Sequence, residues 1–361
     1  MRKCCSIVPG LVLCATMIGC FAPPSFDNEP FLNCETIIEE GVIILNEGTF
    51  GNNEGRLDFV YNDSDSIICA GIFERINGKP LGDVAQEGVF VNGKLYVIVN
   101  NSHLLYELNE STLSLERTLP LPAGLRSSPR SIKGYTADAL YVSSLLDSSV
   151  FVIEASSLQI RKRIHVGNFP EGVAVTKQYV FVALGNYVGE NNAGVAVIDR
   201  ERDSLLSIIS LPLTNPGQLA IQGDMLWVAC RGDFFTQNPQ AGLVGINALD
   251  LSIDATIPLQ GNLQNELQIA GNTAYVLRDS SIAWIDLERE EVLADWKIRT
   301  DFTTNRWVYP YSLSLDAQAG LLYVGLAHGL GANGEVVSVD PFGQIQRRIP
   351  AGRFPGQVIF R

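Results

Sequence analysis

Residues able to do chemistry are sparse in this chain, and their spacing argues against most reactions. The three histidines, His103, His165 and His328, stand far apart, and no two share the short spacing of a metal-binding pair. No Cys-x-x-Cys, His-Glu-x-x-His, Gly-x-Ser-x-Gly or phosphate-cradling glycine loop occurs. Glu171 and Glu266 are a carboxylate pair that could serve as acid and base if the fold sets them across one funnel. Arg231-Gly-Asp233 matches an adhesion tripeptide, an accident in a loop of this composition. Cys230, closing the apolar run Leu226-Trp-Val-Ala-Cys230, reads as a small buried hydrophobe and not as a nucleophile. The sequence therefore predicts no enzyme, no metal site and no required cofactor.

What remains is recognition chemistry. Short motifs recur, most of them led by proline: Pro129-Arg-Ser131, Pro170-Glu-Gly172, Pro216-Gly-Gln218, Pro310-Tyr-Ser312 and Pro355-Gly-Gln357, with Gln86-Glu87 and Gln264-Asn-Glu266 in matching places. Aligned, they put Gln86, Arg130, Glu171, Gln218, Glu266, Tyr311 and Gln357 at one repeated position. Nearby loops carry Phe50, Tyr187, Phe234, Phe235, Trp307 and Tyr309, and His328 lies in another such loop. Amides and aromatics on a concave face suit a large, polar, flat-faced ligand or a protein partner. The alternative is a polar ring closed by its own hydrogen bonds, with some aromatics packed under the loops.

The elements that would position these residues come from a repeat. Lys94-Leu-Tyr-Val97, Ala139-Leu-Tyr-Val142, Tyr179-Val-Phe-Val182, Met225-Leu-Trp-Val228, Thr273-Ala-Tyr-Val276 and Leu321-Leu-Tyr-Val324 are six copies of one strand, and Val42-Ile-Ile-Leu45 is a seventh. Their large residues, Ile44, Tyr96, Tyr141, Phe181, Trp227, Tyr275 and Tyr323, follow at spacings of 52, 45, 40, 46, 48 and 48. A period in the forties with four short strands per repeat is the signature of a propeller blade. The end of the chain, Arg353-Phe-Pro-Gly-Gln-Val-Ile-Phe360, repeats the opening of a unit and then stops. The expectation is an all-β, seven-bladed β-propeller over 41–361, its ring closed by the C-terminal strand pairing into the first blade. Asp199, Asp286 and Asp340, each ending a third strand, should cap turns.

Residues 1–19 read as a signal peptide: Arg2 and Lys3, then an apolar stretch from Ile7 to Ile18 too short for a membrane span. Met17-Ile-Gly-Cys20 resembles a bacterial lipobox, which makes Cys20 the lipidated residue and 20–40 a tether. The whole chain carries −13; without Arg2 and Lys3, 24 basic residues face 39 acidic ones, a balance of −15. Such a charge disfavours nucleic acid and leaves the lipid as the membrane attachment. Cys34, Cys69 and Cys230 remain in the mature chain, where Cys34 and Cys69 could pair.

Phe169-Pro-Glu-Gly-Val-Ala-Val175, Leu140-Tyr-Val-Ser143 and Gly194-Val-Ala-Val-Ile-Asp199 resemble the YVTN-type seven-bladed propeller repeats. Ile44-Leu-Asn-Glu-Gly-Thr-Phe50, Gly82-Asp-Val-Ala-Gln86 and Leu95-Tyr-Val-Ile-Val-Asn-Asn101 are similar to lipid-anchored propellers of Bacteroidota-like bacteria associated with TonB-dependent receptors. That resemblance implies an outer-membrane, cell-surface lipoprotein that binds a small ligand, with cobalamin or another corrinoid first, and passes it to a TonB-dependent transporter. Two alternatives stand beside it: a protein–protein module of a surface complex, and a propeller enzyme of the lactonase or lyase kind.

Overall fold

The computed structural model describes residues 41–360, apart from 63–64, 68, 123–126, 136–137, 186–193, 237–239, 279–280 and 298–307. Its strands form seven antiparallel sheets in which consecutive strands pair. We number the sheets as blades 1 to 7 and letter the strands A to D outward from the axis. The A strands are Pro355–Ile359, Ala85–Val91, Pro129–Gly134, Pro170–Val175, Pro216–Gln222, Leu263–Ala270 and Tyr309–Asp316. Each touches the next, and Pro355–Ile359 touches both Ala85–Val91 and Tyr309–Asp316, so the ring is closed. Closure is a chain-end event, since Pro355–Ile359 pairs with Gly41–Asn46. It leaves no exposed inner edge.

A blade alone cannot cover both faces of its B and C strands, which is why these strands read as continuous apolar runs instead of alternating ones. Seven hydrophobic clusters fill the seven gaps between neighbouring blades. The repeated large residue of strand B supplies one of them in each case; Tyr141, Phe181 and Trp227 are all buried. Blade 1 corrects the alignment by one residue. Ile43 faces blade 2 as Tyr96 faces blade 3, whereas Ile44 faces back toward blade 7. A slip of one residue moves a strand side chain to the opposite face.

Blade 1 is also built differently outside. Its sheet has three strands, and among the described residues beyond Arg56–Tyr61 only Cys69 bridges to Phe59. The helix Ile72–Asn77 packs where another blade has its outer strand, burying Ile72 and Phe73. Cys69 is disulfide-bonded to a residue outside the described ones. The signal peptide, Cys20, the tether and Cys34 likewise lie outside the described residues. Among those described, no helix is long and apolar enough to cross a membrane.

The feature that positions the site recurs in every blade. The pairing of strands A and B shifts register just after strand A begins. Such a bulge takes residues out of the ladder and re-aims their side chains. The skipped residues are Gly356, Gln86, Arg130, Glu171 with Gly172, Gly217 with Gln218, Gln264 to Glu266, and Tyr311. Six of the seven residues aligned from the sequence are therefore bulge residues. Blade 1 is the exception, with Gly356 in place of Gln357.

Candidate functional site

The axial channel encloses a cavity of about 520 Å³. Gln86, Arg130, Gln218, Glu266, Tyr311 and Gln357 line it, together with Glu47, Gln264 and Asn265. Glu171 does not. It is 1% exposed and lies behind Arg130, whose Nε donates to Glu171 Oε2 at 2.9 Å. Arg231 Nη2 lies 3.8 Å from the other oxygen of the same carboxylate. The Glu171–Glu266 acid–base pair is thus corrected: two guanidiniums hold Glu171 on its far side, and it is no base facing the channel.

From Glu171 a chain of polar contacts runs around the mouth. Arg130 Nη1 donates to Gln86 Oε1 at 2.9 Å, Gln86 Nε2 to Glu47 Oε1 at 3.4 Å, and Tyr311 Oη to Glu47 Oε2 at 2.6 Å. The belt therefore links Arg231 of blade 5 with blades 4, 3, 2, 1 and 7 in turn. Glu47 and Arg231 occupy one structural position. Each is the first residue after strand B, and its backbone N–H donates to the residue before strand A, Phe354 or Asn215. Gly356 leaves the room that Glu47 fills, because a Cβ there would stand 2.9 Å from Glu47 Cγ. Asn100 and Gly185 hold the same position in blades 2 and 4, which is the alignment signal that would have found Glu47.

Burial raises the Glu47 carboxyl above its ordinary range, against the hydrogen bond from Tyr311 and the nearby charge of Arg130. Glu266 is pushed up further, first by burial and then by the negative Glu47 and Glu87, while the Leu313 backbone N–H opposes the shift. Tyr311 is likewise raised by burial and by Glu47. Gln357 lines the channel, but its amide is spent on blade 2: Gly88 N–H donates to Oε1 at 2.8 Å and Nε2 donates to Gly88 O at 3.1 Å.

The loop aromatics divide. Phe234 and Phe235 are exposed, the latter at 87%, as is Phe50. Tyr309 is half-buried and packs edge-on against Tyr311, ring centroids 6.2 Å apart. His328 is mostly covered and sits 3.5 Å from Glu335. Tyr187 and Trp307 fall outside the described residues. Arg231 is buried at the mouth, which removes the adhesion tripeptide from consideration. Cys230 is buried and free, its thiol pushed far up by desolvation. Asp199, Asp286 and Asp340 accept backbone N–H bonds from residues two to four positions on, as turn caps do. Among the described residues no three His, Cys, Asp or Glu side chains gather as metal ligands.

Fold and channel define a seven-bladed β-propeller with a polar axial cavity and long loops on the face where that cavity opens. Residues 40–283 match the family described as a domain of unknown function, DUF5074, and the chain belongs to that family. No curated protein matches the sequence. A quinoprotein alcohol dehydrogenase-like protein from Bacteroides thetaiotaomicron is similar in structure, with a TM-score of 0.67 and 16% identity, over 90% of this chain and 79% of that one. Hydrazine synthase from Kuenenia stuttgartiensis is also similar, with a TM-score of 0.61 and 16% identity, over 73% of this chain and 85% of that one. At such identity the likeness is one of fold.

Proposed function

We propose that this chain is a lipid-anchored, non-enzymatic capture propeller of the outer-membrane surface. It binds a large, flat-faced polar ligand, a corrinoid such as cobalamin first, and delivers it to a TonB-dependent transporter. One observation carries the reading: the long B–C loops belong to blades 1, 4, 5 and 7. Blades 7 and 1 are neighbours and blade 5 lies two blades beyond blade 7, so the described loop residues of blades 7 and 1 form one lobe at the channel mouth and those of blade 5 a second. The first lobe is tied together, Thr49 Oγ1 donating to Leu330 O at 3.3 Å, and exposes Phe50 and Leu330. The second exposes Phe234 and Phe235. Exposed apolar groups on loops beside a polar channel suit a broad ligand with apolar faces and a polar rim.

The test is calorimetric titration of the chain from Pro30 onward with cyanocobalamin and with cobinamide. Tight one-to-one binding that weakens at least about tenfold in Phe234→Ala/Phe235→Ala supports the reading. Absence of heat with both corrinoids removes that ligand. A protein partner is the second reading, favoured by the outer strand Ser204–Ser210, which exposes Leu205, Leu206 and Ile208. Co-purification of the anchored chain with a transporter, undiminished by those loop substitutions, would favour it. The enzyme reading loses its acid–base pair to the Arg130–Glu171 contact.

A further inference from the structure

The belt around the mouth stops short of closing. Between Arg231 and Tyr311 the ring runs through the A strands of blades 5 and 6, whose channel side chains are Gln218, Gln264 and Glu266. Among the described residues the side-chain amides of Gln218 and Gln264 have no hydrogen-bond partner, whereas Gln268 Nε2 on the same strand as Gln264 donates to Leu313 O. Glu266 takes only the Leu313 backbone N–H. Blade 6 also has the longest bulge of the seven, three residues between Leu263 and Leu267. Polar groups placed in a cavity of about 520 Å³ and left unspent are what a ligand would use. Carboxamides both donate and accept, which matches hydroxyl groups. An anion would meet the carboxyl groups of Glu47, Glu87 and Glu266, and the lining guanidinium, Arg130, already donates to Glu171 and Gln86.

Further along the axis the lining changes. Phe90, Leu315 and Phe360 line the far end, and Gln86 and Phe90 are four residues apart on one strand, roughly 13 Å at about 3.3 Å per residue. The lining is polar at the mouth, and at the far end it includes these three half-buried side chains, which also pack on the clusters between blades.

We propose that this open arc and the apolar end together form a binding site inside the channel for an uncharged amphiphile, a hydroxylated head at the mouth and a short apolar tail beneath it. The site is separate from the loop lobes and does not depend on the corrinoid reading. It is tested with octyl β-glucoside, held below its micelle concentration, and methyl β-glucoside, titrated into the chain from Pro30 onward. Saturable one-to-one binding of the octyl glucoside is expected, with the methyl glucoside at least about tenfold weaker. Gln218→Ala/Gln264→Ala should weaken the octyl glucoside by about tenfold at an unchanged unfolding midpoint, and Phe234→Ala/Phe235→Ala should leave it unchanged. Failure to saturate overturns the proposal. So does binding equally tight in the glutamine variant, which would mark detergent on exposed apolar surface.

Discussion

Two arcs of one channel mouth are made from the same bulge and used in opposite ways. From Tyr311 through blades 1 to 4 to Arg231, every polar side chain is answered by its neighbour in the next blade. Across the A strands of blades 5 and 6, Gln218, Gln264 and Glu266 face the cavity with little or no answer from the protein. The difference separates what polar residues at a propeller axis do. A satisfied network fixes how the blades meet, whereas unsatisfied amides add nothing to stability and remain available to a ligand. Position in the repeat is therefore not enough to assign a role; the neighbouring blade decides it.

The comparison breaks most simply at Glu171. Glu171→Ala takes the negative charge from between two guanidiniums, one of them almost fully buried, and should cost about 3–5 kcal/mol. Gln264→Ala in the open arc should change stability by less than about 0.5 kcal/mol. Urea unfolding of both variants checks this. Similar costs at the two sites would mean that the arcs do not differ energetically.

A smaller effect is expected where the arcs join, because the A strands of blades 4, 5 and 6 approach each other through glycines. A Cβ on Gly172 would stand 2.5 Å from the backbone oxygen of Gly217, and one on Gly217 would stand 1.9 Å from Asn265 Oδ1. The first clash is with backbone and the second with a side chain that can rotate. Gly172→Ala should cost about 1–3 kcal/mol and Gly217→Ala less, read from thermal unfolding. The reverse order would show that Asn265 is as firmly held as the belt.

Much of this was legible in the sequence, for a physical reason. Proline can open strand A because its nitrogen need not join the ladder there, so Pro129, Pro170, Pro216, Pro310 and Pro355 marked the bulge positions directly. Val42-Ile-Ile-Leu45 carries no aromatic and is buried on both faces, so its pattern could not tell Ile43 from Ile44. Glu47 and Arg231 open long polar loops, and nothing local distinguishes them from solvated loop residues. Their partners stand in other blades, as Glu171 stands 41 residues from Arg130. Which bulge residues were spent was therefore invisible, and with it the division of the mouth into two arcs.

The effect that sharpens the comparison most concerns Glu266. Its folded-state pKa is raised by burial and by Glu47 and Glu87, so its contribution to stability is present below the ordinary carboxylate value of 4.5 and is lost as pH rises through the folded value. Glu47 has the same sign, held back by Tyr311 and Arg130. Urea midpoints measured from about pH 5 to about pH 9 should therefore include a component that falls with pH. Glu266→Gln keeps the amide-like shape without the proton. Below the ordinary carboxylate value of 4.5 the variant should match the parent; above it the unfolded parent ionises while the buried carboxyl resists, so the variant should become progressively the more stable until the folded carboxyl ionises as well. If the two pH profiles superimpose throughout, Glu266 ionises in the folded channel as easily as in water. The open arc would then be an anionic site, and the uncharged head assigned to it would be the wrong chemistry.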